Sequence, residues 1–317
     1  MTFVAVFLFP FSVLAYSEYI IPGGENIGIE IKSRGVMVIG FYKVNGTQDN
    51  NALRIGDVIT AINDQEVNTI NELIESINEL IVDNRVNVTY LRGRTGNRKT
   101  TLTLAQVDGV YKTGLYVKDS ITGIGTLTYI DPNTLIYGAL GHEIIESATK
   151  KQVEVRTGII FRSFITGVDR SSNGVPGGKN ARFHYNTEYG DVTKNTNYGI
   201  FGNYNIALPN RDPLRVGTKD DIEVGKAHIY TVLEGEKVEQ FEIMINRIIK
   251  DTRIKNIHFK ITDERLLSKT GGVVQGMSGS PIIQNDMIIG AVTHVITNQV
   301  DTGFGIFITT MLEEGER

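Results

Sequence analysis

A glycine-rich turn near the C-terminal end constrains the fold of this 317-residue chain more than any other feature. Residues 271–283 read Gly-Gly-Val-Val-Gln-Gly-Met-Ser-Gly-Ser-Pro-Ile-Ile, which places Ser278 in a tight turn between two apolar runs. Glycine permits the backbone dihedrals that a sharp turn needs, and apolar runs bounded by turn residues are typical of strands. The segment therefore predicts a strand–turn–strand unit that presents a serine hydroxyl.

The same turn has the residue types of a nucleophile site. A serine hydroxyl is a weak nucleophile until a base removes its proton. Ser278 lies in a Gly-x-Ser-Gly-x-Pro frame, from which trypsin-type serine peptidases build a nucleophile and an oxyanion hole. The amides of Gly276 and Ser278 are the candidate oxyanion donors. Ser280 is the competing hydroxyl, and a purely structural turn of small residues is the alternative for the whole segment.

The general base would be one of five histidines. His142 is the candidate because it lies in a small-residue turn, Gly-Ala-Leu-Gly-His-Glu-Ile, after a strand-like run at 134–137. His294 lies on a predicted strand after the serine, where a cleft-lining or structural role fits better. No two histidines have metal-ligand spacing, so no metal site is predicted. The spacing leaves open which acidic residue orients the base, with three candidates: Asp251, Asp263 and Asp301.

The composition excludes several classes of function. Hydrophobic residues make up 41% of the chain and charged residues 21%, which is an ordinary globular balance. The net charge of -4 is spread over both halves, so nucleic acid is not an expected partner. The chain has no cysteine, which excludes disulfides and thiolate chemistry. No cofactor is predicted.

The first sixteen residues are apolar almost throughout. A full membrane span needs about 20 residues, and Pro10 interrupts this shorter run. Val13 and Ala15 suit the small-residue positions before a signal-peptidase site, although the usual positive charges are missing. We expect residues 1–20 to be an export signal or a membrane anchor, and an apolar N-terminal strand or helix packed on the domain is the alternative.

Residues 21–108 predict a small α+β unit. It has strands at 27–31 and 36–42, a helix over 68–80 capped by Asn68 or Thr69, and a final hairpin over 86–104. This order, with Leu-Arg-Ile-Gly-Asp-Val-Ile-Thr-Ala-Ile-Asn at 53–63, resembles a PDZ domain. In that family a peptide adds as a strand to an exposed sheet edge. A scaffold with a closed groove is the alternative, and the peptide-binding strand would be Ile27, Gly28, Ile29, Glu30 and Ile31.

Residues 109–317 have short strand-like runs, frequent glycine and almost no helical periodicity. Strands are predicted at 123–130, 159–165, 227–233, 240–245, 282–283 and 287–292, and a long exposed segment at 190–210. Short strands separated by turn residues favour an all-β barrel or sandwich. The fold class is therefore mainly β with a small α+β part.

Three segments together carry a closer resemblance. The PDZ-like unit precedes Gly-Ala-Leu-Gly-His-Glu-Ile at 138–144, and Ile-Thr-Asp at 261–263 precedes the serine turn. In this combination the chain resembles the SpoIVB serine peptidases (stage IV sporulation protein B) of endospore-forming bacteria. The resemblance implies a PDZ domain followed by a trypsin-like β-barrel peptidase domain over 109–317. It also implies that His142 is the general base, Asp263 the acidic member and Ser278 the nucleophile.

The resemblance implies a role as well. Such a peptidase is exported across the forespore membrane to the space between the two sporulation membranes. There it cleaves itself and a membrane-bound regulatory subunit (SpoIVFA-like), which triggers pro-sigma-K processing. Its partners are polypeptides and the forespore membrane, and its PDZ domain binds its own N-terminal region or a partner's tail. Two alternatives stay open: a PDZ-containing envelope quality-control protease, and a non-catalytic PDZ adaptor with a degenerate protease barrel.

Overall fold

The computed structural model describes residues 16–46, 52–93 and 95–317, with Thr95 described by its backbone alone. Most of the expected signal or anchor segment therefore lies outside the described residues. The described part is mainly β, with 21 strands and three helices. Within those ranges no helix combines the length and the apolar character needed to cross a bilayer.

The N-terminal unit has the PDZ order of strands and one helix. Its elements are β2 (Asn26–Phe41), β3 (Asp57–Ile62), β4 (Gln65–Glu66), α1 (Ile70–Leu80), β5 (Arg85–Arg92) and β6 (Thr95–Thr103). The strand before them, β1 (Tyr19–Pro22), pairs with strands of the peptidase domain. Helix α1 begins at a capping box in which Thr69 Oγ1 accepts from the Glu72 amide and the Glu72 carboxylate accepts from the Thr69 amide. Leu73 and Ile77 on this helix are buried against β2, β3 and β5. The predicted helix and its cap at Thr69 are confirmed.

Most of the peptidase domain is built from strands. After the hairpin β7 (Ala105–Val107) and β8 (Val110–Lys112) come β9 (Leu115–Ile130), β10 (Ile136–Ala139), β11 (Thr157–Asp169), β12 (Gly178–Asp191), β13 (Lys194–Thr196) and β14 (Gly199–Asn203). The second half contains β15 (Leu214–Val216), β16 (Gly225–Val232), β17 (Val238–Ile248), β18 (Ile257–Ile261), α2 (Glu264–Thr270), β19 (Pro281–Gln284), β20 (Met287–Ile296), β21 (Gln299–Phe307) and α3 (Ile308–Glu316). The predicted β-barrel peptidase domain is confirmed.

Strand β2 joins the two parts of the chain. The strands predicted at 27–31 and 36–42 form one continuous strand, in which Gly35 has a φ of +84°. The second half of β2 pairs with β3 and with the start of β9. The first half lies between β9 and β11, so that Ile29 pairs with Gly123 on one side and with Ile160 on the other. The PDZ unit and the peptidase domain therefore share one sheet.

This sharing corrects the predicted peptide-binding strand at Ile27–Ile31. A peptide adds to a sheet only where backbone N–H and C=O groups are unpaired at an edge. Residues 27–31 pair with β11 along one edge and with β9 along the other. No edge is left at this stretch, and the side chains of Ile27, Ile29 and Ile31 are buried in the core. The groove is closed there by the chain itself.

Two apolar cores lie next to the serine loop, which is residues 271–280 between α2 and β19. One is formed by β16 to β20 and includes Phe241 and Phe259. The other is formed mainly by β2, β9, β10, β11 and β14. The loop between α2 and β19 hydrogen-bonds to β9, because the Thr126 amide donates to the Ser278 carbonyl. Ser278 therefore lies at the junction of the two cores.

Two predicted loops have different outcomes. The link between β19 and β20 is a two-residue turn, as predicted, and Asn285 and Asp286 both have positive φ, which is typical of a type I′ hairpin. The long exposed segment predicted at 190–210 is confirmed only for 205–210, most of which are exposed, and is wrong for 190–204. It contains β13 and β14, whose Ile200 and Phe201 are buried against neighbouring strands. The apolar run in this segment is only two residues long, and a run this short gives no periodicity.

Candidate active site

The serine loop has a glycine-specific backbone conformation at two positions, one before and one after Ser278. Gly276 and Gly279 have φ values of +93° and +94°. A β-carbon at Gly279 would lie 2.0 Å from the Thr126 carbonyl oxygen and 2.5 Å from the Leu140 amide nitrogen. The backbone at Gly279 is thus pressed between two other segments, which explains the glycine after the serine.

Burial separates the two candidate hydroxyls. Ser278 is half-buried, whereas Ser280 is 0% exposed. Among the described residues, the buried Ser280 hydroxyl has no hydrogen-bond partner. A substrate could reach only Ser278, and the predicted preference for Ser278 as the nucleophile is consistent with this geometry.

The predicted oxyanion amides are free of protein acceptors. Within the described part of the chain, the amides of Gly276 and Ser278 donate to no other residue. Three carbonyls of the same loop, those of Gly276, Ser278 and Gly279, accept hydrogen bonds from β9. Thr126 Oγ1 donates to the Gly276 carbonyl at 2.7 Å, and Thr128 Oγ1 donates to the Gly279 carbonyl at 2.8 Å. Two unpaired amides in the loop that carries the serine hydroxyl are candidates for stabilising an oxyanion.

Thr126 and Thr128 are two residues of the site that the sequence patterns do not predict. Both are 0% exposed on β9, and their hydroxyls are used entirely to orient the serine loop. The available signal is the alternation Gly-Thr-Leu-Thr-Tyr at 125–129, which puts two threonines on one face of a strand in an apolar surrounding. A buried hydroxyl needs a partner, and here the partners are carbonyls of the serine loop.

We expect Thr126→Val to lower the rate at which Ser278 reacts by about tenfold or more. The Gly276 carbonyl would lose its hydrogen-bond donor, so the backbone that orients the Gly276 and Ser278 amides would be less well fixed. Thr126→Ser keeps the hydroxyl and is the matched control, with a rate within about threefold of the wild type. Labelling of the purified chain by a fluorophosphonate, followed by mass spectrometry, measures both rates. Equal rates for the valine and serine variants would contradict this role.

His142 is placed beside the serine loop by two consecutive left-handed residues. Leu140 and Gly141 have φ values of +68° and +70°, and the Leu140 amide donates to the Thr126 carbonyl. A β-carbon at Gly141 would lie 2.7 Å from Thr293 Cγ2. The Ser278 hydroxyl donates to the Thr293 carbonyl at 3.0 Å. The turn before His142 and the serine loop therefore contact the same two residues, Thr126 on β9 and Thr293 on β20.

The hydrogen bond of His142 fixes a useful tautomer. Its Nδ1 lies 2.8 Å from the carbonyl oxygen of Glu143, so that Nδ1 carries the proton and donates it. The Nε2 lone pair is then available to accept a proton. Burial lowers the pKa of His142 below its ordinary value, which favours the neutral ring. Both properties suit a general base.

His294 lies next to His142, with the ring centroids 5.5 Å apart. Burial, and then the neighbouring His142 and Lys255, lower the pKa of His294 to about 4. Its Nδ1 is buried and has no hydrogen-bond partner. The structural or cleft-lining role expected for His294 stays a prediction, and its lowered pKa favours a neutral ring beside His142.

Asp263 does not meet His142 in this structure. Its carboxylate caps α2 by accepting from the amides of Arg265 and Leu266, at 2.9 and 3.2 Å. Burial acts to raise the pKa of Asp263, but the Leu266 amide and the Arg265 side chain outweigh it and lower the pKa. The Nδ1 partner of His142 is instead the backbone carbonyl of Glu143. The role of Asp263 in a triad stays a prediction from the family resemblance.

The other two aspartate candidates also have other surroundings. Asp251 lies in an exposed turn after β17. Asp301 on β21 forms an ion pair with Lys260 at 3.1 Å. No side-chain carboxylate in the described ranges is hydrogen-bonded to His142. The orientation of the imidazole is set here by the main chain.

The fold and the serine loop define a serine peptidase domain that follows a PDZ domain along the chain. Residues 109–312 match the profile described as SpoIVB peptidase S55, and residues 26–105 match a PDZ domain profile. The first match spans more than half of the chain. The protein therefore belongs to the SpoIVB peptidase S55 family.

Solved structures with similar parts were also found. The PDZ domain of the SdrC-like protein (Lmo2051) from Listeria monocytogenes is 25% identical and covers 28% of this chain and 93% of its own, with a TM-score of 0.23. The active form of the Rv3671c protease from M. tuberculosis is 13% identical and covers 62% and 73%, with a TM-score of 0.34. Its inactive form is 12% identical and covers 61% and 82%, with a TM-score of 0.35. A search of curated proteins gave no significant match.

Proposed function

We propose that this serine peptidase acts in sporulation signalling, in the space between the forespore and mother-cell membranes. After export across the forespore membrane it cleaves itself and a membrane-bound regulatory subunit (SpoIVFA-like), which triggers pro-sigma-K processing. Membership of the SpoIVB peptidase S55 family supports this role. The observation that supports the chemistry is the serine loop, in which a half-buried hydroxyl and two amides without protein acceptors lie within three residues, 276–278, among the described residues.

The residues around this loop suggest the order of events. Ser278 Oγ attacks the carbonyl carbon of the scissile peptide bond while His142 Nε2 takes the hydroxyl proton. The amides of Gly276 and Ser278 bind the oxyanion that forms. The protonated His142 then gives its proton to the leaving amine, and a water molecule hydrolyses the acyl-enzyme by the same route.

One rearrangement precedes this attack. The Ser278 hydroxyl donates to the Thr293 carbonyl and not to His142 in the free protein. Rotation of the serine side chain about χ1 moves Oγ between staggered positions. Hydrogen bonds of active sites often tighten only when the substrate is bound. We therefore expect the substrate to redirect the hydroxyl towards His142.

The test uses the full chain and the membrane-bound regulatory subunit reconstituted together in lipid vesicles. The expected result is cleavage of the subunit and of the N-terminal region of the peptidase itself, seen as defined products by mass spectrometry. The Ser278→Ala chain is the control and leaves both intact. An unstructured casein added to the same vesicles separates the alternatives. Cleavage of casein with the subunit intact would contradict the signalling role and favour a quality-control protease.

A further inference from the structure

A lysine is buried against the serine loop and forms no ion pair with an acidic side chain of the described residues. Lys179 on β12 is 6% exposed. Its Nζ lies 2.6 Å from Asn26 Oδ1 and 2.8 Å from Thr231 Oγ1, and both of these groups are neutral. Lysine is almost never buried to this degree unless it is paired with a charge. Burial lowers the pKa of Lys179 to about 7.

Lys179 contacts the serine loop through both its backbone and its side-chain stem. Its amide donates to the Gln275 carbonyl at 3.0 Å, and the Gln275 amide donates back to the Gly177 carbonyl at 2.9 Å. A β-carbon at Gly276 would lie 3.2 to 3.3 Å from three carbons of the lysine stem. The stem therefore supports the backbone from which one of the two oxyanion amides projects.

The lysine head is connected to the same loop from the other side. Asn26 Nδ2 donates to the Gly125 carbonyl on β9 at 3.1 Å. The next residue on that strand is Thr126, whose amide and hydroxyl hold the carbonyls of Ser278 and Gly276. Lys179 thus reaches the loop directly through its stem and indirectly through Asn26 and β9.

The Lys179 amine also connects strand β2 with strand β16, which pack in different cores. Asn26 is on β2, which packs with the core that carries His142. Thr231 is on β16, which belongs to the core that carries the serine loop. The Nζ atom is the point at which side chains from both strands meet.

We propose that Lys179 is a positioning residue of this peptidase, which in its neutral form fixes the serine loop and the direction of the Gly276 amide. The proposal rests on the catalytic role of Ser278. A neutral amine has two N–H groups, and the structure supplies two acceptors for them. Protonation would add a buried charge and a third N–H without an acceptor among the described residues. The site is complete only for the uncharged amine.

If Lys179 has this role, the reaction rate depends on the protonation of two groups, His142 and Lys179. The groups that face the amine from β2 and β16, Asn26 and Thr231, do not titrate, and Gln275 and Gly276 on the serine loop do not titrate either. Both His142 and Lys179 must be neutral for fast reaction. Below both pKa values the rate should then fall about 100-fold per pH unit, because two protons bind, whereas loss of one base alone gives about tenfold.

The test measures the rate at which a fluorophosphonate labels Ser278 in the full-length protein between pH 5 and 9. In this reaction an Oγ–P bond forms, fluoride leaves, and the serine proton passes to His142. We expect the wild type to approach the slope of two protons at low pH. Lys179→Met should label at least tenfold more slowly at pH 8 and follow the slope of one proton. Lys194→Met is the matched control, because that half-buried lysine binds carbonyls near the C-terminus, and it should keep the wild-type profile.

A second variant covers the case in which Lys179→Met does not fold. Asn26→Asp keeps the size of the side chain but puts a carboxylate against Nζ, which favours the charged amine. The low-pH loss of labelling should then move up by at least one pH unit. Lys179→Met labelling with the rate and the pH profile of the wild type would overturn the role of Lys179. Absence of any label on wild-type Ser278 would instead contradict the catalytic role of that serine.

Discussion

Replacement of Ser278 by alanine is expected to abolish fluorophosphonate labelling and to lower peptide cleavage by about a millionfold, because the hydroxyl is the group that bonds to the substrate. The fold should change little. The hydroxyl makes one hydrogen bond, to the Thr293 carbonyl, and loss of one such bond costs about 1 kcal/mol of the free energy of unfolding. Cleavage rates and urea denaturation measure the two effects separately.

Ser280→Ala is the matched control, because Ser280 is two residues away in the same loop. Its hydroxyl is fully buried and has no hydrogen-bond partner. Removing an unsatisfied buried hydroxyl should leave stability unchanged or raise it slightly. The Ser280→Ala chain should label and cleave like the wild type. Persisting activity in Ser278→Ala together with loss of activity in Ser280→Ala would exchange the roles of the two serines.

Replacement of Gly279 by alanine should destabilise the protein by more than about 3 kcal/mol. Two costs combine at this position. Its φ of +94° is unfavourable for any residue with a β-carbon, and that carbon would lie 2.0 Å from the backbone oxygen of Thr126. The loop or β9 must move to relieve the contact, so labelling of Ser278 should be lost as well.

Gly174→Ala separates the two costs. Gly174 has a similar φ of +83°, but nothing lies within 4 Å of a β-carbon built there. This variant should lose only about 1 kcal/mol, which is the backbone term alone. The midpoints of urea denaturation give both values. If Gly279→Ala were as stable as Gly174→Ala, the close packing of the serine loop on β9 would not matter for stability.

Much of the architecture could be predicted from local patterns. The α1 helix has apolar residues at helical spacing and a capping box, and the β19–β20 hairpin has Asn-Asp at its turn. These signals lie within a few residues of each other, so the sequence carries them directly. The serine loop was predictable for the same reason, since its glycines and its serine are adjacent.

Contacts between distant segments could not be predicted in this way. Thr126 and Ser278 are more than 100 residues apart, and only the folded chain brings the threonine hydroxyl to the Gly276 carbonyl. The burial of Lys179 also depends on distant contacts. A lysine among polar residues is expected to be exposed, whereas this side chain is buried. The prediction of a peptide-binding edge at 27–31 was wrong for the same reason. The two strands that cover this stretch, β9 and β11, follow about 90 and 130 residues later in the chain.

The continuity of β2 has a consequence for any attempt to separate the two parts of the chain. A fragment that ends near residue 108 would keep 27–31 but lose β9 and β11. Three isoleucines, now fully enclosed, would then lie on a strand with unpaired backbone on both sides. Strands of this kind associate with other chains. The isolated PDZ fragment would therefore tend to aggregate, and its apparent peptide binding would report an edge that the intact protein does not offer.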